Sequence, residues 1–309
     1  MLSHLKKSQQ SSIYLTIFSI LLLWLCTFAQ DAKRPSFLIV KPGDAGATSE
    51  SASEYLNKIG EYFSQKVSRF KQKPLLGLIS NRLDSAIVIL QKHRPVFVFV
   101  PAGFYLQHLS NYAENTRPIA QAPRFGKQVE HYYLLGLKRR PSSLAALKGQ
   151  RVRTNFAIDW AYLKRVVFPA DFQPGTHFKL EASENLADDL FLMLEARDAG
   201  EIDQLEPAAA ILVDEELKHF FETDDLIRDE LQILWTSPPL PRDLFVLIGN
   251  DWSTAEEREL LHALIDMNQD ALGQELLSLM QSSGITEIDS TLLAETAAKY
   301  FTSEKGKRE

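Results

Sequence analysis

Apolar positions fall into short runs of four or five residues, FLIV at 37–40, LLGLI at 75–79 and VFVFV at 96–100, separated by stretches with a helical period. Runs of that length read as buried strands and the intervals as helices, which gives βαβ units and a mainly parallel sheet. In the first interval Tyr55, Ile59, Tyr62, Phe63 and Val67 recur at spacings of three and four, with Ser51 and Glu54 placed as a capping box. A later helix is predicted from the Ser253 and Glu256 capping pair, followed by the stripe Leu260, Leu261, Leu264 and Ile265. The fold class is α/β.

Two central segments carry stronger local signals. Residues 140–155, RPSSLAALKGQRVRTN, predict a short helix opened by Pro141, capped by Ser142 or Ser143 and ended by a left-handed Gly149. A strand follows, with Val152 and Thr154 facing away from Arg151 and Arg153, and a second helix starts at Thr154–Asn155. Residues 231–249, LQILWTSPPLPRDLFVLIG, are two apolar runs around Ser237-Pro238-Pro239-Leu240-Pro241, where proline forbids helix and the chain crosses extended. The run Asp266-Met267-Asn268-Gln269-Asp270 hints at a calcium loop, but Ala271 replaces the required glycine and Leu277 stands at the twelfth position, so it reads as helix.

The amino end changes the compartment. Lys6 and Lys7 precede an uncharged run from Ile13 to Ala29, and Thr27-Phe28-Ala29 supplies small residues for cleavage after Ala29, so residues 1–29 read as a secretory signal. The competing reading keeps residues 13–29 as a membrane anchor. Cys26, the one cysteine, lies in that segment and leaves the rest without disulfide, thiol nucleophile or thiolate ligand. The formal charge of -6 becomes -8 when the two lysines leave with the signal, and an acidic chain is a poor candidate for nucleic acid or an anionic membrane, which need a basic surface. Residues 302–309 are charged and read as a disordered tail.

The 140–155 string resembles the "SLADLKGKRV" block of the phosphate and phosphonate-binding proteins, the type 2 periplasmic solute receptors of bacterial ABC importers. The 231–249 segment resembles the family's "vlweSpplP" return crossing, and the likeness spans roughly residues 36–301. It implies two lobes, residues 36–132 plus 243–301 and residues 133–242, each a mainly parallel sheet flanked by helices. It also implies a ligand held between them.

Candidate ligand-binding residues follow from strand ends and from that likeness. The loop after the first strand offers Gly43, Asp44 and Gly46, at the carboxyl end of parallel strands where crevices form. Tyr105, in Pro101-Ala102-Gly103-Phe104-Tyr105, matches a family tyrosine near the solute, and Thr154 with Asn155 offers free amides at a helix start. Ser183 stands where the family has a "GsH" turn; Asp203 matches the acid of "GevDaa" by string, while Asp214 follows the AAAILV strand and also suits a helix N-cap. Ser237, in the return crossing, faces either the cleft or the backbone beside the prolines, whereas Trp235 reads as core.

The likeness departs at the anion site, where Phe156, Ala157 and Ile158 replace small hydroxyl residues and Asp159 adds a negative charge. The seven histidines show no metal spacing, and no GxSxG, GxGxxG or Walker loop occurs, so no catalytic residue, metal or cofactor is assigned. The implied function is a non-enzymatic periplasmic receptor that closes over a small, oxyanionic (phosphate or phosphonate-like) solute and presents it to an inner-membrane ABC permease. The alternative reuses the fold as a sensory or adaptor domain for a membrane signalling protein.

Overall fold

The computed structural model describes residues 34–42, 50–110, 116–138, 141–156, 159–199 and 208–305. Among the described residues, twelve strands form two five-stranded sheets and one two-stranded ribbon. The first sheet has the order β2-β1-β3-β12-β4, from β1 (Ser36–Val40), β2 (Leu76–Ser80), β3 (Phe97–Val100), β4 (Thr116–Gln121) and β12 (Leu244–Ile248). The second has the order β10-β6-β9-β7-β8, from β6 (Tyr133–Leu137), β7 (Arg151–Thr154), β8 (Lys179–Ala182), β9 (Ala210–Val213) and β10 (Leu231–Thr236). Each sheet is mixed instead of mainly parallel: β1 runs parallel to β2 and β3, and β7 parallel to β8 and β9, while β12, β6 and β10 pair antiparallel. Each antiparallel pairing within the two sheets involves the strand that enters the second sheet, β6, or the strand that returns to the first, β12.

Both sheets are covered on two faces, which explains why their central strands are apolar at consecutive positions. Along β1, Phe37 and Ile39 enter one core with α1 (Glu50–Lys66), while Leu38 and Val40 enter another with α2 (Leu83–His93). Along β6, Leu134 faces one core of the second sheet and Tyr133, Leu135 and Leu137 the other.

The chain passes between the sheets twice, through β5 (Val129–Glu130) and β11 (Leu240–Pro241), which pair antiparallel with Leu240 opposite Glu130. The proline run therefore crosses extended, and Pro241 sits in a two-stranded ribbon where its missing amide costs little. Ser237 locks this crossing: its amide donates to the Tyr132 carbonyl, its hydroxyl accepts from the Tyr132 amide at 2.9 Å and donates to the Pro238 carbonyl.

Other local expectations are revised. The 140–155 helix is reduced to a 3-10 turn at Ala145–Leu147, although Gly149 has a φ of +75°. The helix expected at Thr154–Asn155 does not start there: two turn residues follow β7, and α4 (Trp160–Tyr162) is a single turn continued by a π-helical turn, Leu163–Val167. Helix α1 begins at Glu50, so Ser51 lies inside it rather than capping it. Asp266–Asp270 is a break, not helix: α8 (Thr254–Asp266) ends and Asp270 caps α9 (Ala271–Leu279), accepting from Leu272 and Gly273 amides. A Cβ at Gly273 would lie 2.4 Å from the Met267 Cα, so the two helices meet too closely for a side chain there. The capping box at Ser253 and Glu256 is present as expected.

The last helix, α10 (Ser290–Lys305), takes in the first residues of the expected disordered tail. It contacts β11 and the π-helical turn, and brings Ala297, Tyr300 and Phe301 to the core of the second sheet, while Leu293 packs on that of the first. The predicted signal, residues 1–29, lies outside the described residues, and no described helix is long and apolar enough to cross a membrane.

Candidate functional site

A cleft of about 630 Å³ opens at the carboxyl ends of β1, β3, β7 and β9. One wall comes from the first sheet, with Val40, Lys41, Pro42 and Pro101, and the facing wall from Asn155, Phe156 and the first turns of α5 (Leu186–Ala199) and α6 (Glu215–Thr223). Arg124, Glu130, Tyr132 and Asp243, beside or within the crossing ribbon, complete it. Strand carboxyl ends are where α/β sheets form binding crevices, because the connecting loops splay apart there.

Asn155 bridges the walls by donating from Nδ2 to the Pro42 carbonyl at 3.1 Å. A denser bridge is ionic. Asp214 caps α6, accepting from the Leu217 amide at 2.9 Å, and thereby fixes Glu215 and Glu216 in the first helical turn. Arg124 pairs with Glu216 and with Asp243, Lys41 lies 3.6 Å from Glu216, and Lys127 and Arg242 both reach Glu215. Cations from the first sheet's strand ends and the crossings thus converge on two neighbouring carboxylates of the second sheet's helix. Chemically, α6 presents its own carboxylates to the cations that line the cleft.

The electrostatics follow from burial. The Arg124 guanidinium is desolvated, yet Asp243 and Glu216 hold its pKa above the ordinary value. Glu215 is also desolvated, but Lys127 and Arg242 keep it below the usual carboxylate range. Two acids go the other way. Burial, then Asp243 and Asp214, push Glu130 well up despite Arg242 and Arg124, and burial followed by Glu216 pushes Asp214 up to about 6.

An acid whose folded pKa exceeds its unfolded value of about 4 loses its proton first in the unfolded chain, so it costs stability as pH rises. The urea midpoint is therefore expected to fall between about pH 4 and 6 as Asp214 ionises, and further as Glu130 does. Paired acids such as Asp84, held at about 2, contribute the opposite slope only below that window. Asp214→Asn combined with Glu130→Gln should flatten the decline, and an unchanged slope in that double variant would refute the assignment.

The sequence-derived candidates divide sharply. Asn155 and Asp214 line the cleft; Tyr105, Thr154, Ser183 and Ser237 do not. Tyr105 packs between cores of the two sheets and its hydroxyl meets Thr116, so it serves packing. Thr154 is fully buried and its hydroxyl accepts from the Phe156 amide, closing the turn after β7. Ser183 donates to Asp189, and Ser237 is consumed by the backbone beside the prolines. Gly43, Asp44, Gly46 and Asp203 lie outside the described residues. Trp235 stacks on Phe168 with centroids 4.9 Å apart, as a core residue would.

Lys41, at the head of the candidate loop after β1, and Arg124, Glu130, Glu216 and Asp243 also line the cleft and were not singled out from the sequence. The available signal was position: Lys41 directly follows an apolar strand and Asp243 directly precedes one. No group of three metal-ligating side chains suited to an ion occurs among the described residues.

Residues 202–293 match the family described as the periplasmic substrate-binding proteins of ABC phosphonate transporters. No curated protein matches the sequence. Among solved structures, XAC2383 from Xanthomonas citri bound to chloride superposes with a TM-score of 0.63 at 15% identity, covering 88% of this chain and 99% of that one. The binding component of an ABC phosphonate transporter from Pseudomonas aeruginosa, PA3383, gives 0.60 at 14% identity over 90% and 100%. PhnD1 from Prochlorococcus marinus with methylphosphonate gives 0.60 at 12% over 86% and 98%. The chain thus has the periplasmic-binding-protein fold, and its residues 202–293, which contain the Pro238–Pro241 crossing, match a family of transport receptors, the phosphonate-type substrate-binding proteins of ABC importers.

Proposed function

We propose that this protein is the solute receptor of an ABC importer, taking one small polar molecule into the cleft between its two sheets and presenting the closed form to a membrane permease. The carrying observation is that both walls of one cleft engage each other across it, through Asn155 to Pro42 and through Arg124 and Lys41 to Glu216. A ligand favours closure only through contacts it makes better in the closed state, so residues on both walls must share it. The halves that move are residues 36–132 with 243–301, and residues 133–242, hinged at the ribbon of β5 and β11. Gly43, Asp44, Gly46 and Asn155 are the first groups we assign to the solute, with Asp214 on the opposing helix and export directed by residues 1–29.

The family match and the methylphosphonate held by PhnD1 support an oxyanionic solute. In this cleft an oxyanion competes with Glu216 for Arg124 and Lys41. Calorimetry with phosphate, phosphite and methylphosphonate should therefore give binding that strengthens about tenfold or more in Glu216→Gln, since a charge-assisted contact is released to the ligand. Absence of heat in both proteins would count against the oxyanion. The same self-made bridge favours a second reading, a receptor fold that signals to a membrane partner, because its own side chains supply closing contacts.

A further inference from the structure

We infer that the solute is an oxyanion joined to a flat ring, and that Phe125, with His219 and Phe220, forms the slot for that ring. This names the organic part of the solute for the receptor proposed above and rests on that reading. The cleft, at about 630 Å³, is of the size that encloses a drug-sized molecule, far more than phosphate or methylphosphonate fills. Phe125, His219 and Phe220 line it, and Phe125 and Phe220 are 44% and 59% exposed.

Phe125 holds its place against local preference. Arg124 to Lys127 form a tight turn closed by the Lys127 amide on the Arg124 carbonyl, with a φ of +53° at Phe125 and +70° at Gly126. Positive φ at both central positions is a geometry that glycine and asparagine adopt readily and a bulky side chain resists. The exposed phenyl ring gains little burial in return. The turn is nonetheless pinned: the buried Arg242 donates from Nε to the Lys127 carbonyl at 3.2 Å, and the Gly126 amide donates to the Ser283 hydroxyl at 3.1 Å. A strained but fixed turn that displays an aromatic ring in a cleft points to a use for that ring outside the core.

What the turn meets outlines the occupant. Arg124 pairs with Glu216 on α6, and the next residue, Phe125, packs on His219 with centroids 4.6 Å apart and planes at 52°. Glu216, His219 and Phe220 stand at i, i+3 and i+4, so they share one helix face. Helix α6 thereby offers an anionic group and a flat ring one turn, ~5.4 Å, apart to the consecutive residues Arg124 and Phe125. The protein's own side chains take the outline of an aryl oxyanion. A solute of that outline displaces both at once, its oxyanion taking Arg124 and Lys41 from Glu216 and its ring taking the face of Phe125 from His219.

The test is calorimetry on the full chain, unmodified and as Glu216→Gln, with methylphosphonate, 2-phenylethylphosphonate and 2-cyclohexylethylphosphonate. The phenyl probe is expected to bind about tenfold tighter or more than methylphosphonate, and tighter than the cyclohexyl probe, from ring burial and aromatic contact. Phe125→Asn, with a residue that the turn accepts, should bring the phenyl-to-methyl ratio close to one without lowering the urea midpoint. If methylphosphonate binds and the phenyl probe gains nothing over it, the receptor reading stands and the ring slot is wrong. A phenyl preference that survives Phe125→Asn, or is matched by the cyclohexyl probe, also overturns the inference. Absence of heat with all three probes in both proteins removes the oxyanion reading and this inference with it.

Discussion

Replacing Arg124 by methionine is expected to destabilise the protein by about 3–5 kcal/mol, the cost of stranding buried charges whose partner is removed. The Arg124 side chain is 6% exposed and Asp243 only 9%, so water cannot replace the lost guanidinium at Asp243. Glu216, at 22%, is partly relieved by Lys41 at 3.6 Å, which places the larger share of the cost on Asp243. The native arginine is itself desolvated, a penalty that its carboxylate partners offset, and removing every buried charge of such a network removes the penalty as well. Removing all three charges, as in Arg124→Met with Glu216→Gln and Asp243→Asn, should therefore recover most of the stability. Urea unfolding of the two variants checks this. A single variant losing less than about 1 kcal/mol, the value of an exposed pair, would show that the network is solvated and its bridging role wrong.

Much of the fold was legible because strands buried on both faces leave a mark in one dimension. FLIV and VFVFV are read as strands without tertiary knowledge, and three prolines in four residues admit little besides an extended crossing. The Ser253 capping box is equally local. What failed was whatever tertiary packing decides. Helix α10 carries apolar residues for two different cores, so its stripe names no single partner. The break at Met267–Gln269 depends on how closely Gly273 approaches Met267, a contact that helical periodicity does not register.

The candidate site was legible to a smaller extent. Asp214 and Asn155, chosen because they follow strand ends, do line the cleft, yet Thr154 and Ser237, chosen in the same regions, spend their hydroxyls on backbone groups nearby. Short hydroxyl residues serve a turn or a ligand with one and the same sequence signal. The ion network was hidden for another reason. Arg124 and Glu216 are 92 residues apart, and each alone reads as an ordinary surface charge.

The second large effect is expected in the floor beneath the cleft. Phe99 is 1% exposed, lies opposite Ile39 on β1 and Phe245 on β12, and its ring sits 4.6 Å from that of Phe245. Its ring thus joins the strand laid down early in the chain to the strand that returns after the second crossing. Phe99→Ala should cost about 3–5 kcal/mol, from lost burial plus the cavity left between two strands pinned by their neighbours. Phe99→Leu should cost distinctly less, since most of the volume is kept. The damage should also reach the site, because Pro101 directly follows β3, Asp243 directly precedes β12, and both line the cleft. Hydrogen exchange on Phe99→Ala is expected to show amides of β3 and β12 losing protection together, with the second sheet retaining its own. Loss confined to one of these strands would mean that the aromatic contact does not couple them, and that the cleft floor is held by the backbone ladder alone.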